Sequence, residues 1–104
     1  GGLKVNPAEV ESILMEHPAI REIAVVPLPL TETVTRVRVV VVAEDAEDAA
    51  SRNAIQRDLA EIAKRELAPH QRPRTCEFLD ELPRTLTGKL LRGRLMEMVG
   101  GSEG

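Results

Sequence analysis

Aromatic side chains are almost missing from this sequence: it has no tryptophan, no tyrosine and a single phenylalanine, Phe78. A single-strand nucleic-acid binder that stacks bases on rings therefore has nothing to stack them on. A basic excess is missing too. Fourteen lysines and arginines face seventeen aspartates and glutamates, a formal net charge of −3, whereas a general nucleic-acid binder carries surplus cations to neutralise phosphates. Cysteine is limited to Cys76, so no internal disulfide is available and a reducing cytoplasm is the expected setting. His17 and His70 lie far apart with one thiol between them, which is no metal-ligand set. No apolar run approaches the ~20 residues that span a bilayer, and no signal-peptide pattern is present. Methionine is absent from position 1, so the chain reads as a piece of a longer polypeptide or as one with a foreign first residue.

What is present suits one α+β domain with a modest core. Apolar content of 42% with 30% charged residues indicates a soluble globular chain rather than a disordered one. Asn6, Pro7 and Glu9 open a helix as cap, first helical residue and third-position acid. Val10, Ile13 and Leu14 give it an apolar face, and Pro18 ends it. Residues 23–26 predict a short strand broken by Pro27 and Pro29, with a turn at 31–35. Residues 36–43 contain five valines, the mark of a central strand buried on both faces. The acidic stretch 44–48 reads as a solvated loop.

Ser51 or Asp48 is placed to cap a second helix bearing Ile55, Leu59, Ile62 and Leu67, with Glu61 and Arg65 spaced to pair on its outer side. Residues 69–73 predict a rigid loop. Residues 75–79 predict a strand with Cys76 and Phe78 on one face and Glu77 on the other. Leu91, Leu95 and Met98 then supply the apolar face of a last helix, weakened by Gly93. These elements give a sheet of about three strands covered by helices. The expected domain runs over residues 1–99, with 100–104 as a disordered tail.

Chemistry concentrates in residues 83–94, where Arg84, Lys89, Arg92 and Arg94 gather without an acid. Between Lys64 and Arg94 there are eight basic and four acidic residues, a positive segment inside an acidic protein. Lys89 follows Thr85, Thr87 and Gly88 and is expected on a mobile arm at a helix N-terminus. The helix dipole opposes a cation there. Either the lysine is an ordinary solvated one, or it and the helix end act together on a phosphate or carboxylate. A P-loop is excluded: position 83 is proline where the first glycine would stand, and leucine follows Lys89.

The segment Gly2-Leu3-Lys4-Val5-Asn6-Pro7-Ala8-Glu9-Val10-Glu11 resembles the G-x-x-[IV]-x-P-x-E-[IV]-E signature of the adenylate-forming superfamily. Pro83-Arg84-Thr85-Leu86-Thr87-Gly88-Lys89-Leu90-Leu91-Arg92 resembles its closing P-[RK]-T-x-[ST]-G-K-[IL]-x-R signature. His17-Pro18-Ala19-Ile20 and Phe78-Leu79-Asp80-Glu81-Leu82-Pro83 fall between them in the family's order. The resemblance covers nearly the whole chain. Departures are Lys4, where many members have asparagine or arginine, and residues 27–32, which lack the usual Gly-x-Pro-Asp turn. The stretch 69–74 with the Phe78 strand is most similar to aryl- and medium-chain acyl-CoA ligases.

The resemblance implies the C-terminal lid of an ATP-dependent acyl- or aryl-CoA synthetase. It implies that Lys89 is the catalytic residue for attack of a carboxylate on the α-phosphate of ATP, giving acyl-adenylate and pyrophosphate. The lid then rotates, and the loop of Gly2, Leu3 and Lys4 lines the channel for coenzyme A. Thr87 and Gly88 support the lysine, and Arg92 and Arg94 either reach phosphates or solvate the last helix. ATP and Mg2+ are held mostly by the lid's own N-terminal adenylation domain, the implied partner together with the carboxylic acid. The P-x-x-x-x-G-K arrangement from Pro83 to Lys89 further implies modification of Lys89 by a lysine acetyltransferase, which removes its charge. The fragment alone is expected to be inactive. Rival readings are the lid of a peptide-synthetase adenylation domain and a non-enzymatic interaction or acetylation-substrate module. The remaining candidates have ordinary roles: His17 at a helix C-terminus, where positive charge is favoured, Cys76 as a core residue, and Glu9 and Glu11 in capping and solvation.

Overall fold

The structure, a computed structural model, describes residues 5–100. Gly2, Leu3 and Lys4, expected to line the thiol channel, and tail residues 101–104 lie outside the described residues. Helix α1 (Pro7–Leu14) starts as its sequence dictates. The Asn6 Oδ1 accepts the backbone N–H of Ala8 at 3.0 Å and of Glu9 at 3.3 Å, satisfying donors that the first helical turn leaves open. Val10 and Leu14 are buried.

Strand β1 (Ile20–Pro29) pairs antiparallel with β2 (Thr35–Ala43), and β2 pairs parallel with β3 (Pro73–Phe78), in the order β1-β2-β3. The expected break at Pro27 and Pro29 does not occur. Pro27 stays opposite Val37 and Pro29 opposite Thr35. β1 is an edge strand, and the amides of alternate residues point away from its neighbour. Val25 lies on that outward set, since its N–H goes to a Glu11 carboxylate oxygen at 2.8 Å. Pro27 and Pro29 share its parity, so their missing N–H groups fall where no ladder bond is required.

β2 is central and buried on both faces, as its valines predict. Val37, Val39 and Val41 join Val10, Leu14 and the apolar face of helix α2 (Ala49–Glu66) on one side. Val40 and Val42 pack with Leu82, Leu95 and Val99 on the other. Cys76 and Phe78 of β3 face the first cluster, and Glu77 points to the opposite face toward Arg38. Three layers result, with helices on both sides of a mixed sheet. Asp48 caps α2 by accepting the Ser51 N–H at 2.7 Å, and that bond holds its carboxyl below the usual aspartate range. The expected Glu61–Arg65 pairing is replaced by Arg65 with Glu66 at 3.0 Å. The 69–73 loop contains a short 3-10 turn, and Arg72 donates to the Leu67 and Lys64 carbonyls at the end of α2.

Helix α3 (Arg92–Gly100) corrects the expected apolar face. Leu95 and Val99 are buried, whereas Leu91 is 38% and Met98 48% exposed. Leu91 is the residue just before the helix, its carbonyl accepting the Leu95 N–H at 3.0 Å, and its side chain is left partly in solvent. Buried Arg38 donates to the Val99 carbonyl at 2.8 Å, fixing which side of the last turn faces the sheet and placing a cation at the helix C-terminus. Gly93 lies in this helix with open space where a Cβ would stand. Gly93→Ala is therefore expected to stabilise the domain by about 0.5–1 kcal/mol, read as a rise in urea midpoint.

Candidate active site: the lysine turn

Residues 84–90 close into a turn, with Arg84 and Leu90 forming an isolated antiparallel bridge. Thr85 N–H donates to the Lys89 carbonyl at 2.9 Å, and Gly88 N–H to the Thr85 carbonyl at 2.9 Å. The Thr85 hydroxyl accepts the Lys89 N–H at 3.0 Å and lies 3.0 Å from the Thr87 hydroxyl. Gly88 adopts φ +91°, a conformation that side-chain-bearing residues rarely accept. Beyond the turn, Leu91 N–H donates to the Pro83 carbonyl at 2.9 Å. These bonds place Lys89 on a closed turn and not, as expected, at a helix N-terminus. α3 begins only at Arg92, because Thr85 takes up the amide of Lys89 locally and competes with helical bonding.

The turn presents Lys89 to solvent. Among the described residues its ammonium has no ion pair and no hydrogen bond. Leu86 at the tip is fully exposed. The expected supports Thr87 and Gly88 are both in the turn. Thr85, whose hydroxyl and backbone make four of its bonds, is the support that sequence reasoning passed over. Its Thr-x-x-x-Lys spacing was the available signal.

The arginines behave differently. Arg84 grips Glu22 of β1 with Nε at 3.0 Å and Nη2 at 2.6 Å, and its Nη1 donates to the Gly88 carbonyl at 2.9 Å. Arg92 Nη1 donates to the Val25 carbonyl at 3.1 Å, and Nη2 lies 3.3 Å from Glu11 Oε2. The same Glu11 oxygen accepts the Val25 N–H. Glu11 is thus part of a clamp on the backbone of one β1 residue, Val25, not merely a capping or solvated acid. Arg92 is held by these partners rather than simply solvating the helix. Arg94 is exposed and flanks a groove with Glu22, Arg84, Leu91 and Met98.

His17 lies just past the C-terminal end of α1, as expected, with its backbone N–H donating to the Leu14 carbonyl at 3.2 Å. It is buried at 8% exposure, with Nδ1 accepting the Ala19 N–H at 3.0 Å and Nε2 2.9 Å from Asp58. A ring whose Nδ1 accepts carries its proton on Nε2, so His17 acts as a hydrogen-bond link between α2 and the α1–β1 connection. Burial, with the Glu77 charge adding to it, pushes the Cys76 thiol up to about 12, which disfavours the nucleophilic thiolate. No three His, Cys, Asp or Glu residues converge on a metal site among the described residues. None of the described helices is long and apolar enough to cross a membrane.

Comparison with known proteins agrees with this geometry. The profile of the AMP-binding enzyme C-terminal domain matches residues 9–89. Acyl-coenzyme A synthetase ACSM5, mitochondrial, of Homo sapiens is 39% identical over 98 residues, covering 94% of this chain and 17% of that protein. The same figures hold for its Mus musculus counterpart, so this chain spans about one sixth of these relatives. Among solved structures, the anthranilate CoA ligase AuaEII in complex with anthranoyl-AMP superposes with a TM-score of 0.80 at 32% identity, covering 98% of this chain and 20% of that one. A Mycobacterium tuberculosis fatty acyl CoA synthetase gives 0.79 at 30% identity, covering 98% and 19%. A match over 81 consecutive positions, 9 through 89, and an α+β layering shared with those structures make this chain a member of the AMP-binding enzyme C-terminal domain family, the C-terminal domain of adenylate-forming acyl- and aryl-CoA synthetases.

Proposed function

We propose that this domain serves as the catalytic lid of an AMP-forming acid–thiol ligase. Lys89 supplies the positive charge that lets a carboxylate approach the α-phosphate of ATP. The observation that carries this reading is the unpaired Lys89 ammonium on a turn closed by hydrogen bonds, beside two arginines whose charges are engaged by Glu22 and Glu11. A free cation on a defined backbone suits stabilisation of charge shared between two anions, because little reorganisation is needed as the reaction proceeds. Closing the lid excludes water and strengthens that attraction.

ATP and its Mg2+ belong to the preceding domain in this reading, and no magnesium ligand is assigned here. Once adenylate has formed, the Gly2, Leu3 and Lys4 loop approaches the pantetheine arm of coenzyme A. Asn6 and Pro7 fix the start of α1 immediately after that loop. Acetylation of Lys89 would act as loss of its charge does, stopping the first step. The test is carboxylate-dependent ATP–pyrophosphate exchange, with benzoate and octanoate as probes. The full polypeptide is expected to catalyse it, the same polypeptide ending before Gly1 to lose it, and this domain alone to show none. Exchange undiminished by removing the domain, or absent from the full polypeptide, would overturn the reading.

A further inference from the structure

The two flanks of the lysine turn are both fastened to the same edge strand. Arg84, at the entry, holds Glu22 with two nitrogens and the Gly88 carbonyl with the third. Arg92, three residues beyond Lys89, holds the Val25 carbonyl and Glu11. Glu11 in turn takes the Val25 N–H, so α1, β1 and the lysine arm meet at the backbone of one residue, Val25. The outer edge of β1, which a sheet edge ordinarily offers to water, is occupied there by this clamp.

Apolar packing supplies little orientation to the turn itself. Leu86 is fully exposed, and only Leu82 and the partly buried Leu90 anchor its stem. The arginine contacts are directional, and guanidinium bonding through two nitrogens fixes angle as well as distance. They are also exposed, with side-chain exposure of 39% for Arg84 and 50% for Arg92. Ion pairs exposed to this degree contribute little to global stability. Such contacts suit the placing of a part more than the holding together of a fold.

We infer that Arg84 and Arg92 are positioning residues for Lys89, setting the direction in which its ammonium leaves the sheet through Glu22, Glu11 and the Val25 backbone. This rests on Lys89 having the role proposed above. It assigns to the two motif arginines, and to the acids opposite them, a mechanical part in adenylation in place of direct phosphate binding. The turn moves with β1 as one body, so rotation of the lid carries the ammonium in or out without loosening the turn.

The test uses the full ligase with Arg92→Met, Arg84→Met, Arg92→Lys and Glu22→Ala, and Lys89→Ala alongside. Three readouts are needed: pyrophosphate exchange, thioester formation from supplied acyl-adenylate, and the thermal midpoint. A misplacement of about 1 Å is enough to cost ~100-fold in rate. That loss is expected in the kcat of exchange for Arg92→Met and Arg84→Met, with KM, thioester formation and midpoint nearly unchanged. Arg92→Lys keeps the charge but not the fork and should recover only part of the rate. Glu22→Ala leaves the arm's own residues unchanged, removes the oxygen that accepts both Arg84 bonds, and should lower exchange in the same direction. Adding it to Arg84→Met should cause no further loss, as expected for one shared contact. Unchanged exchange in the arginine variants, or a parallel fall of both half-reactions with the midpoint, overturns the positioning role. So does full exchange in Glu22→Ala, which would mean that Arg84 acts independently of its mount. If Lys89→Ala itself keeps exchange, the reading of Lys89 has failed; if it alone loses exchange, only the positioning role has.

Discussion

Replacing Lys89 by alanine in the full ligase is expected to lower carboxylate-dependent pyrophosphate exchange by roughly 10²–10³-fold, the range for loss of one pre-placed donor facing developing charge. Thioester formation from supplied acyl-adenylate should change by no more than a few-fold. The asymmetry follows from the proposed sequence of events. The ammonium acts while two anions approach each other, and the lid has rotated it away before the thiol attacks. Stability should hardly move, because Lys89 is exposed on a turn held by backbone and Thr85 bonds that alanine retains. Separate measurement of the two half-reactions on the same preparation decides the matter. An equal loss in both would remove the alternation of roles from this protein.

The second large effect concerns stability. Leu95→Ala is expected to destabilise the domain by about 2–5 kcal/mol, the range for truncating a fully buried leucine where surroundings relax only in part. Leu95 is 0% exposed and is packed with Ala24, Val26, Val40, Val42, Leu82 and Val99 on the face of the sheet beneath α3. No second helix covers that face among the described residues, so the cavity has few neighbours able to close it. Met98→Ala, three residues further along, should stay within about 0.5 kcal/mol, as for an ordinary surface substitution, since Met98 is 48% exposed. Urea titration of the two variants checks both at once. A large loss from Met98→Ala with a small one from Leu95→Ala would mean that α3 presents the opposite side to the sheet. Because α3 follows directly on the lysine arm, Leu95→Ala should also reduce exchange in the full ligase.

Local chemistry was legible wherever cause and effect lie within about one turn of chain. Asn6 and Asp48 cap helices because short polar side chains reach amides two or three residues on. The valine run of β2 announces burial on both faces because β-branched residues suit a pleated, enclosed strand. Gly88 marks a turn because only glycine adopts φ +91° without cost. The two signatures framing the chain likewise pointed to the family through residues that can be read one by one.

Contacts between distant elements were not legible. Pro27 and Pro29 are strand breakers by local rule, and only the position of β1 at the sheet edge, with those residues facing outward, makes them harmless. Leu91, Leu95 and Met98 fit one helical stripe on paper, yet the start of α3 at Arg92 and the Arg38 bond to the Val99 carbonyl decide that Leu95 and Val99 turn inward. Arg92 read as either a phosphate contact or a solvated residue because its partner Glu11 lies 81 residues away, and the pairing of Arg84 with Glu22 was hidden by a separation of 62. Composition and motif order by themselves determined the family, the helix caps, the central strand and the lysine turn, since each depends on bonds within a few residues. Tertiary structure alone decided that, among the described residues, Arg84 and Arg92 are engaged by acids while Lys89 is not, because charge pairing across a sheet depends on strand order and facing, which no local stretch of sequence encodes.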